Sequence, residues 1–301
     1  MKVLVTGASG FIGSTLCDAL HERGDTVVGL TRDPQRARHG NPTVLWHAWQ
    51  PHLERPPREA FEGVDGVVNL IGERIDQRWT DESKRRILES RRTATHNLVG
   101  TIAGLERKPK VMVSQAAIGY YGDRGDEPVD ESEGPRGGFD SEVVQEWEKA
   151  AHEVEGSGVR LVVVRTGHVL DPRGGMLGRM LPPFKMGVGG PLAGGDQYIS
   201  WIHIADEIGI LLWALDEEGV SGTINATAPN PVTNKEFSHA LGRALSRPAV
   251  VPVPGLTLDL MFGREFGKVL RGGQRVIPQR ALELGYEFKF TDIDGALRNL
   301  F

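Results

Sequence analysis

The residues best suited to chemistry stand at the start of the chain. Thr6-Gly7-Ala8-Ser9-Gly10-Phe11-Ile12-Gly13 spaces three glycines as GxxGxxG, between a strand-like run (2–6) and a helical pattern (11–23). Gly7 permits a tight turn, Gly10 lets backbone N–H groups approach a pyrophosphate, and Gly13 lets the helix pack close to the sheet. The helix N-terminus supplies partial positive charge for the phosphates. A second strand-like run ends in Leu30-Thr31-Arg32-Asp33. In a dinucleotide fold the end of strand two lies beside the adenosine ribose. Arg32 comes first there, and its planar cation suits a 2′-phosphate. NADP(H) is therefore the expected cofactor. Asp33 keeps NAD(H) as the alternative, because a carboxylate accepts hydrogen bonds from the ribose 2′-hydroxyl.

Hydride chemistry on a carbonyl needs a proton carrier. Ser114 ends the fifth strand-like run, and Tyr120 and Tyr121 follow it as candidates expected to approach a nicotinamide. His203, in Trp201-Ile202-His203, titrates near neutral pH. Asp140 and Glu142 open a later helix as further candidate bases, although acids there also serve the helix dipole. Arg78 and Trp79 stand in the loop after strand four, on the side where open α/β sheets bind ligands. With Trp201 and Arg275 they are expected to face the substrate, since aromatic rings with arginines suit a planar or anionic compound. The basic run Lys84-Arg85-Arg86 with Arg91-Arg92 reads instead as a solvated helix face. The nine histidines show no metal-ligand spacing, so no metal site is expected. The one cysteine, Cys17, falls at helical spacing with Gly13 and Leu20 and reads as a packed core thiol.

These groups need a scaffold, and the patterning supplies one. The runs 2–6, 26–31, 43–46, 66–71, 110–114 and 160–165 are β-rich without alternation, as parallel strands buried on both faces require. Helical patterns fill the intervals, notably 80–105, capped by Thr80 with Asp81 and Glu82 in its first turn, and 141–155. The alternation implies an α/β protein with a Rossmann-type doubly wound parallel sheet. Residues 171–195 turn rich in glycine and proline and read as a functional loop. A helix (204–215) and a strand (222–226) follow. The expected division is an NADP-binding Rossmann domain over 1–170, completed by about 200–226. Residues 171–199 and 227–301 then form a smaller C-terminal substrate domain. The chain has 301 residues, 39% of them hydrophobic, enough for a sizeable core. Its formal net charge of −5 argues against a general nucleic-acid binder. A single cysteine suits a reducing compartment. No apolar run is long enough to span a membrane, and the N-terminus leads straight into a folded motif rather than a signal peptide. A cytoplasmic protein is expected.

TGASGFIG (6–13) followed by this strand order resembles the extended short-chain dehydrogenase/reductase superfamily. Asn69-Leu70-Ile71-Gly72, Arg78-Trp79-Thr80, Ser90-Arg91, GYYGDRGDE (119–127) and Trp147-Glu148 narrow it. So do RTGHVL (165–170), LPPFKMGVGGPL (181–192), SWIHIAD (200–206), NATAPNPVTNKEF (225–237) and RVIPQRALELGYEF (275–288). Together they are similar to an atypical branch, an NAD(P)-dependent epimerase/dehydratase-like family whose C-terminal domain has no defined role. The resemblance covers essentially the whole chain. It implies that Gly7, Ser9, Gly10, Phe11 and Ile12 line the pyrophosphate and Arg32 the 2′-phosphate. It sets Leu70 and Gly72 on the adenosine side, and Gly167 and His168 beside the nicotinamide amide. It also implies a homodimer paired through helices corresponding to 81–104 and 141–155.

Typical superfamily members use a Ser or Thr with a YxxxK pair, whose lysine lowers the tyrosine pKa. Here Ala116 stands where relatives put the hydroxyl. The Tyr and Lys positions fall near Asp140 and Val144, and no YxxxK occurs in the chain. Two readings follow. One is an NADP(H)-dependent oxidoreductase or epimerase-like enzyme acting on a small carbonyl or sugar-like substrate, with Tyr121, Ser114 or His203 as substitute proton donor. The other is a non-catalytic NADP(H)-binding redox-sensing or regulatory protein. The polar set Arg78, Trp79, Tyr121 and His203 favours the enzyme, since a sensor needs no second pocket.

Overall fold

The computed structural model describes residues 1–301. In chain order its strands are β1 (Lys2–Thr6), β2 (Thr26–Thr31), β3 (Leu45–Ala48), β4 (Gly66–Asn69), β5 (Val111–Ala117), β6 (Pro128–Val129), β7 (Arg160–Thr166), β8 (His168–Leu170), β9 (Tyr198–Ile199), β10 (Trp201–His203), β11 (Gly222–Ala226), β12 (Val232–Thr233) and β13 (Arg275–Val276). The helices are α1 (Phe11–Glu22), α2 (Pro34–Gly40), α3 (Asp81–Ala103), α4 (Phe139–His152), α5 (Gly175–Lys185), α6 (Ile204–Asp216), α7 (Asn234–Ala244), α8 (Gly255–Phe262), α9 (Arg264–Arg271), α10 (Gln279–Glu283) and α11 (Ile293–Leu300).

One parallel sheet dominates, with strand order β11-β7-β5-β4-β1-β2-β3. Its strands carry apolar residues at successive positions because both faces are covered. On one face Val3, Val5, Val113 and Val164 meet Leu16 and Leu20 of α1 and Ile208 and Leu211 of α6. On the other, Leu4, Val67, Met112 and Leu161 meet Leu98 and Ile102 of α3 and Val144 and Ala151 of α4. Truncating one such leucine to alanine costs about 2–5 kcal/mol. Cys17 is part of the first core, and burial pushes its thiol up to about 12. Chain order reverses between β1 and β4, so the crevice that such sheets offer to ligands opens at the C-terminal ends of these two strands. A third core joins Leu177, Leu181 and Phe184 of α5 to Trp201, to Phe237 and Leu241 of α7, and to Ile293 and Leu297 of α11. No helix is long and apolar enough to cross a membrane.

Helix α3 begins where Thr80 predicts. The Thr80 hydroxyl accepts from the Ser83 N–H at 3.2 Å, and the Ser83 hydroxyl accepts from the Thr80 N–H at 2.8 Å, a reciprocal cap. Beyond shifted ends at β4, β5 and α4, three elements differ from the expectation. β3 lies two residues later than the run 43–46. A short helix, α2, follows β2, with Asp33 as its cap. The stretch 171–195 is not all loop: α5 forms inside it despite Pro182 and Pro183, because Leu177, Leu181 and Phe184 recur at helical spacing and bury together.

Candidate cofactor and active site

At the crevice, Gly7 adopts φ +66°, and a Cβ there would meet the Leu70 carbonyl oxygen at 2.8 Å. Gly13 packs closer still, since its Cβ would fall 2.2 Å from the Gly7 carbonyl oxygen. Both positions therefore exclude side chains, and α1 begins directly over the ends of β1 and β4. No side chain caps α1. The N–H groups of Phe11, Ile12 and Gly13 find no acceptor in the protein. Such a cluster of free donors at a helix N-terminus fits a pyrophosphate. Phe11 lies under the 171–175 turn, where a Cβ on Gly174 would come 2.7 Å from its ring. The same segment is tied across the crevice twice, by Arg173 Nη2 donating to Thr15 Oγ1 at 3.1 Å and by an Arg179–Asp76 ion pair at 2.9 Å. A cleft of about 380 Å³ remains between them, lined by Gly72, Glu73, Arg74, Asp76, Gln77 and Arg179. A second hollow, near Arg243 and Arg247, offers less chemistry: Arg243 is paired with Asp294, and Arg247 donates to the carbonyls of Lys185 and Ser246.

The end of β2 separates the two cofactor expectations. Arg32 is exposed and makes no hydrogen bond or ion pair. The Asp33 carboxylate accepts from the Arg36 N–H at 3.0 Å and so is engaged in capping α2. A cation is free where a 2′-phosphate would lie, while the carboxylate that would serve an unphosphorylated ribose is in use.

Beyond β5 the picture inverts. Tyr121 is fully buried. Its hydroxyl donates to Asn225 Oδ1 at 2.8 Å and accepts from Arg165 Nη1 at 3.0 Å. Burial pushes that phenol up to about 12. Arg165 in turn forks onto Glu148 of α4 at 2.7 and 2.8 Å, and its guanidinium lies 3.4 Å from the centre of the Tyr120 ring. Burial opposes this charge, but Glu148 and Tyr121 outweigh it and hold the guanidinium charged. Tyr121 is thus a core cross-link rather than a group aimed at a nicotinamide. Ser114 is buried too, and accepts from Asn69 Nδ2 at 3.2 Å. His203 caps α6, its Nδ1 accepting from the Ala205 N–H at 3.1 Å, and it stacks on Phe290 at 3.9 Å. Ala116 and Val144 are part of the apolar core on the α3–α4 face of the sheet. Asp140 is the acid without such a lock. It starts α4 half-buried beside Gly119, and burial raises its carboxyl, while the Ser141 N–H and Lys268 pull the other way.

Of the expected substrate-facing residues, Arg78 and Trp79 meet the C-terminal lobe. Trp79 packs on Phe139 of α4 at 4.9 Å and Phe266 of α9 at 5.3 Å, and Arg78 donates to the Leu260 carbonyl at 2.7 Å. Arg275, on β13, lies 5.5 Å from the Tyr198 ring with its buried Nε unpartnered. Trp201 is a correction: it is fully buried in the third core and donates to the Asn230 carbonyl, because β10 turns that side of the strand inward. Gly167 lies tight against the Ser200 carbonyl, and His168 beyond it is exposed.

Two residues escaped the sequence reading. Glu207 of α6 is fully buried, and its Oε1 accepts from Thr166 Oγ1 at 2.9 Å and Gln115 Nε2 at 3.4 Å while Oε2 has no partner. Burial pushes this carboxyl up to about 8. Arg91 is not on a solvated face: it lies on the stripe of α3 that holds Ile87, Ala94 and Leu98, and turns in against Gly72. The signal was its position four residues after Ile87 and three before Ala94.

Comparison with known proteins agrees with this architecture. Residues 3–226 match the NAD dependent epimerase/dehydratase family, and residues 253–300 match a domain of unknown function, DUF1731. Epimerase family protein SDR39U1 of Homo sapiens is 38% identical over 305 residues, covering 100% of this chain and 99% of the relative. Epimerase family protein Mb2239 of Mycobacterium bovis is 38% identical over 296 residues, covering 98% and 96%. The crystal structure of human SDR39U1 with NADPH superposes with a TM-score of 0.90 at 37% identity, over 100% of this chain and 99% of that one. UDP-glucuronic acid 4-epimerase from Bacillus cereus shares the fold, with a TM-score of 0.80 at 18% identity over 99% and 96% of the two chains. The glycine cradle, the strand order and full-length relatives converge: this chain belongs to the NAD dependent epimerase/dehydratase family, as an atypical extended short-chain dehydrogenase/reductase ending in a DUF1731 domain.

Proposed function

We propose that the chain is an NADP(H)-dependent oxidoreductase or epimerase-like enzyme acting on a small carbonyl or sugar-like compound. The observation that carries the cofactor choice is the pair at the end of β2, Arg32 free and Asp33 engaged as a cap. The NADPH in the human relative's structure supports it. The N–H groups of Phe11 and Ile12 would hold the pyrophosphate, Arg32 the 2′-phosphate, and Gly167 with His168 the carboxamide. NADPH would supply a hydride. The substrate would lie between Trp79 with Arg78 and the lobe carrying Arg275. Asp140, at the position where relatives place a tyrosine, would hold and pass the proton, its raised carboxyl favouring the protonated form.

The test is a fluorescence titration with NADPH and NADH, on the wild type and on Arg32→Ala. Loss of one charge-assisted contact to the 2′-phosphate should cost about 1.5–3 kcal/mol, or about 10–150-fold in NADPH affinity, with NADH unaffected. If the wild type binds neither nucleotide, the reading falls.

One observation favours a second reading, a non-catalytic NADP(H)-binding redox-sensing or regulatory protein: Tyr121, Ser114 and His203 are all engaged in structural contacts. Deuteride transfer from 4-deuterated NADPH to a panel of carbonyl compounds separates the two. Tight NADPH binding with no transfer to any of them selects the second.

A further inference from the structure

The crevice has a second bank, formed by α3 and α4 on the face of the sheet opposite α1. Arg91 reaches it from the middle of α3. A Cβ on Gly72 would come 2.9 Å from the guanidinium carbon, so the charge lies directly against the chain that leaves β4. Leu70, two residues earlier, has its carbonyl against Gly7. β1 and β4 are adjacent strands, so the chain that Arg91 lies against leaves the sheet beside the glycine loop.

This cation has no carboxylate partner. Its Nη1 donates to the Ile87 carbonyl at 3.2 Å and to Ser90 Oγ at 3.5 Å, and no acceptor in the protein takes Nε or Nη2. Glu73, the charge that opposes its desolvation, is turned to Arg86 at 3.7 Å. The guanidinium lies 5.0 Å from the ring of Trp147 on α4, and the buried indole Nε1 of Trp147 also lacks an acceptor. Burial pulls the Arg91 guanidinium down to about 10. A guanidinium with no carboxylate partner, next to a buried indole N–H that lacks an acceptor, is suited to an anion's oxygen.

We propose that Arg91 and Trp147 bind a phosphate oxygen of the dinucleotide's pyrophosphate, opposite the N-terminus of α1; this rests on the cofactor reading above. The pyrophosphate is then gripped from both banks, by backbone N–H groups on one and by a guanidinium with an indole N–H on the other. The place where relatives carry a lysine on α4 is Val144, and here α3 supplies the positive charge on that side of the sheet.

The test uses the full chain and three variants, Arg91→Met, Arg91→Lys and Trp147→Phe. NADPH affinity is measured by titration and the unliganded melting temperature alongside it. Adenosine 2′-monophosphate, which carries the 2′-phosphate but neither phosphate of the pyrophosphate, serves as the second probe. Arg91→Met should weaken NADPH at least about tenfold and the monophosphate much less, because a charge-assisted bond to the pyrophosphate is lost. Arg91→Lys should recover part of the loss, and Trp147→Phe should weaken NADPH a few-fold. Arg32→Ala, by contrast, should weaken both probes. NADPH affinity within twofold of wild type in Arg91→Met, with only the melting temperature lowered, overturns the proposal and leaves the cofactor reading intact. Failure of the wild type to bind NADPH overturns both. If Arg91→Met does not fold, unchanged NADPH affinity in both Arg91→Lys and Trp147→Phe overturns it equally.

Discussion

Two regions at the same edge of the sheet treat their polar groups in opposite ways. Over β1 and β2, donors are left without partners: the first N–H groups of α1 and the guanidinium of Arg32. Beyond β5, where relatives carry the Ser–Tyr–Lys set, Tyr121, Arg165 and Ser114 are engaged with neighbours in the core. Tyr121 bonds Asn225 and Arg165, Arg165 forks onto Glu148, and Ser114 accepts from Asn69. The first region is prepared for a ligand and the second for rigidity. A fold can keep its cofactor cradle while converting the reacting end into a strut, which is why family membership does not transfer a mechanism residue by residue.

The contrast can be broken most forcefully at the strut. Glu148→Ala leaves Arg165 buried without its counter-charge and should cost about 3–5 kcal/mol, seen as a lower urea midpoint at unchanged slope. NADPH affinity should stay within about twofold, since Glu148 pairs with Arg165 of β7, away from the glycine loop at β1; a selective loss of NADPH binding would show that the two regions are one site.

Glu207 gives the next effect, in pH dependence. Its folded carboxyl titrates at about 8 against 4.5 unfolded. Between those values the folded chain holds a proton that the unfolded chain has lost, so its contribution to stability is complete at low pH and is lost as pH rises toward 8. Glu207→Gln should flatten that decline in melting temperature; an unchanged pH profile would mean the carboxyl is already ionised.

Tyr121→Phe gives a smaller effect. Removing one hydroxyl from a buried network should cost about 1–3 kcal/mol of stability. Were Tyr121 the proton donor, hydride transfer would instead fall by about 10²–10⁴-fold at nearly constant stability. Asp140→Asn sharpens the same point, removing any limb of the rate that falls as pH rises through the raised carboxyl pKa.

The cradle and the parallel sheet are legible in the sequence because their causes are local. GxxGxxG occupies a turn that only glycine fits, and strands covered on both faces write unbroken apolar runs. The strut is not legible, because Glu148, Tyr121 and Arg165 meet only through tertiary packing of α4 against β7. Trp201 shows the same limit: a lone tryptophan near a histidine looks like a substrate platform until its strand is seen to face a core built from α5, α7 and α11. Arg91 and Arg92 look alike as adjacent charges, yet 100° of helical turn sends the first inward and the second to solvent. Helix α5 was hidden by its prolines, although Leu177, Leu181 and Phe184 carried the period.

The most direct test is a crystal structure of this chain with NADPH. The expected density places the pyrophosphate at Gly10 to Ile12 and the 2′-phosphate against Arg32, with the Tyr121 hydroxyl still on Asn225 and Arg165. A Tyr121 side chain turned out to the nicotinamide, or a 2′-phosphate remote from Arg32, would contradict the division between cradle and strut.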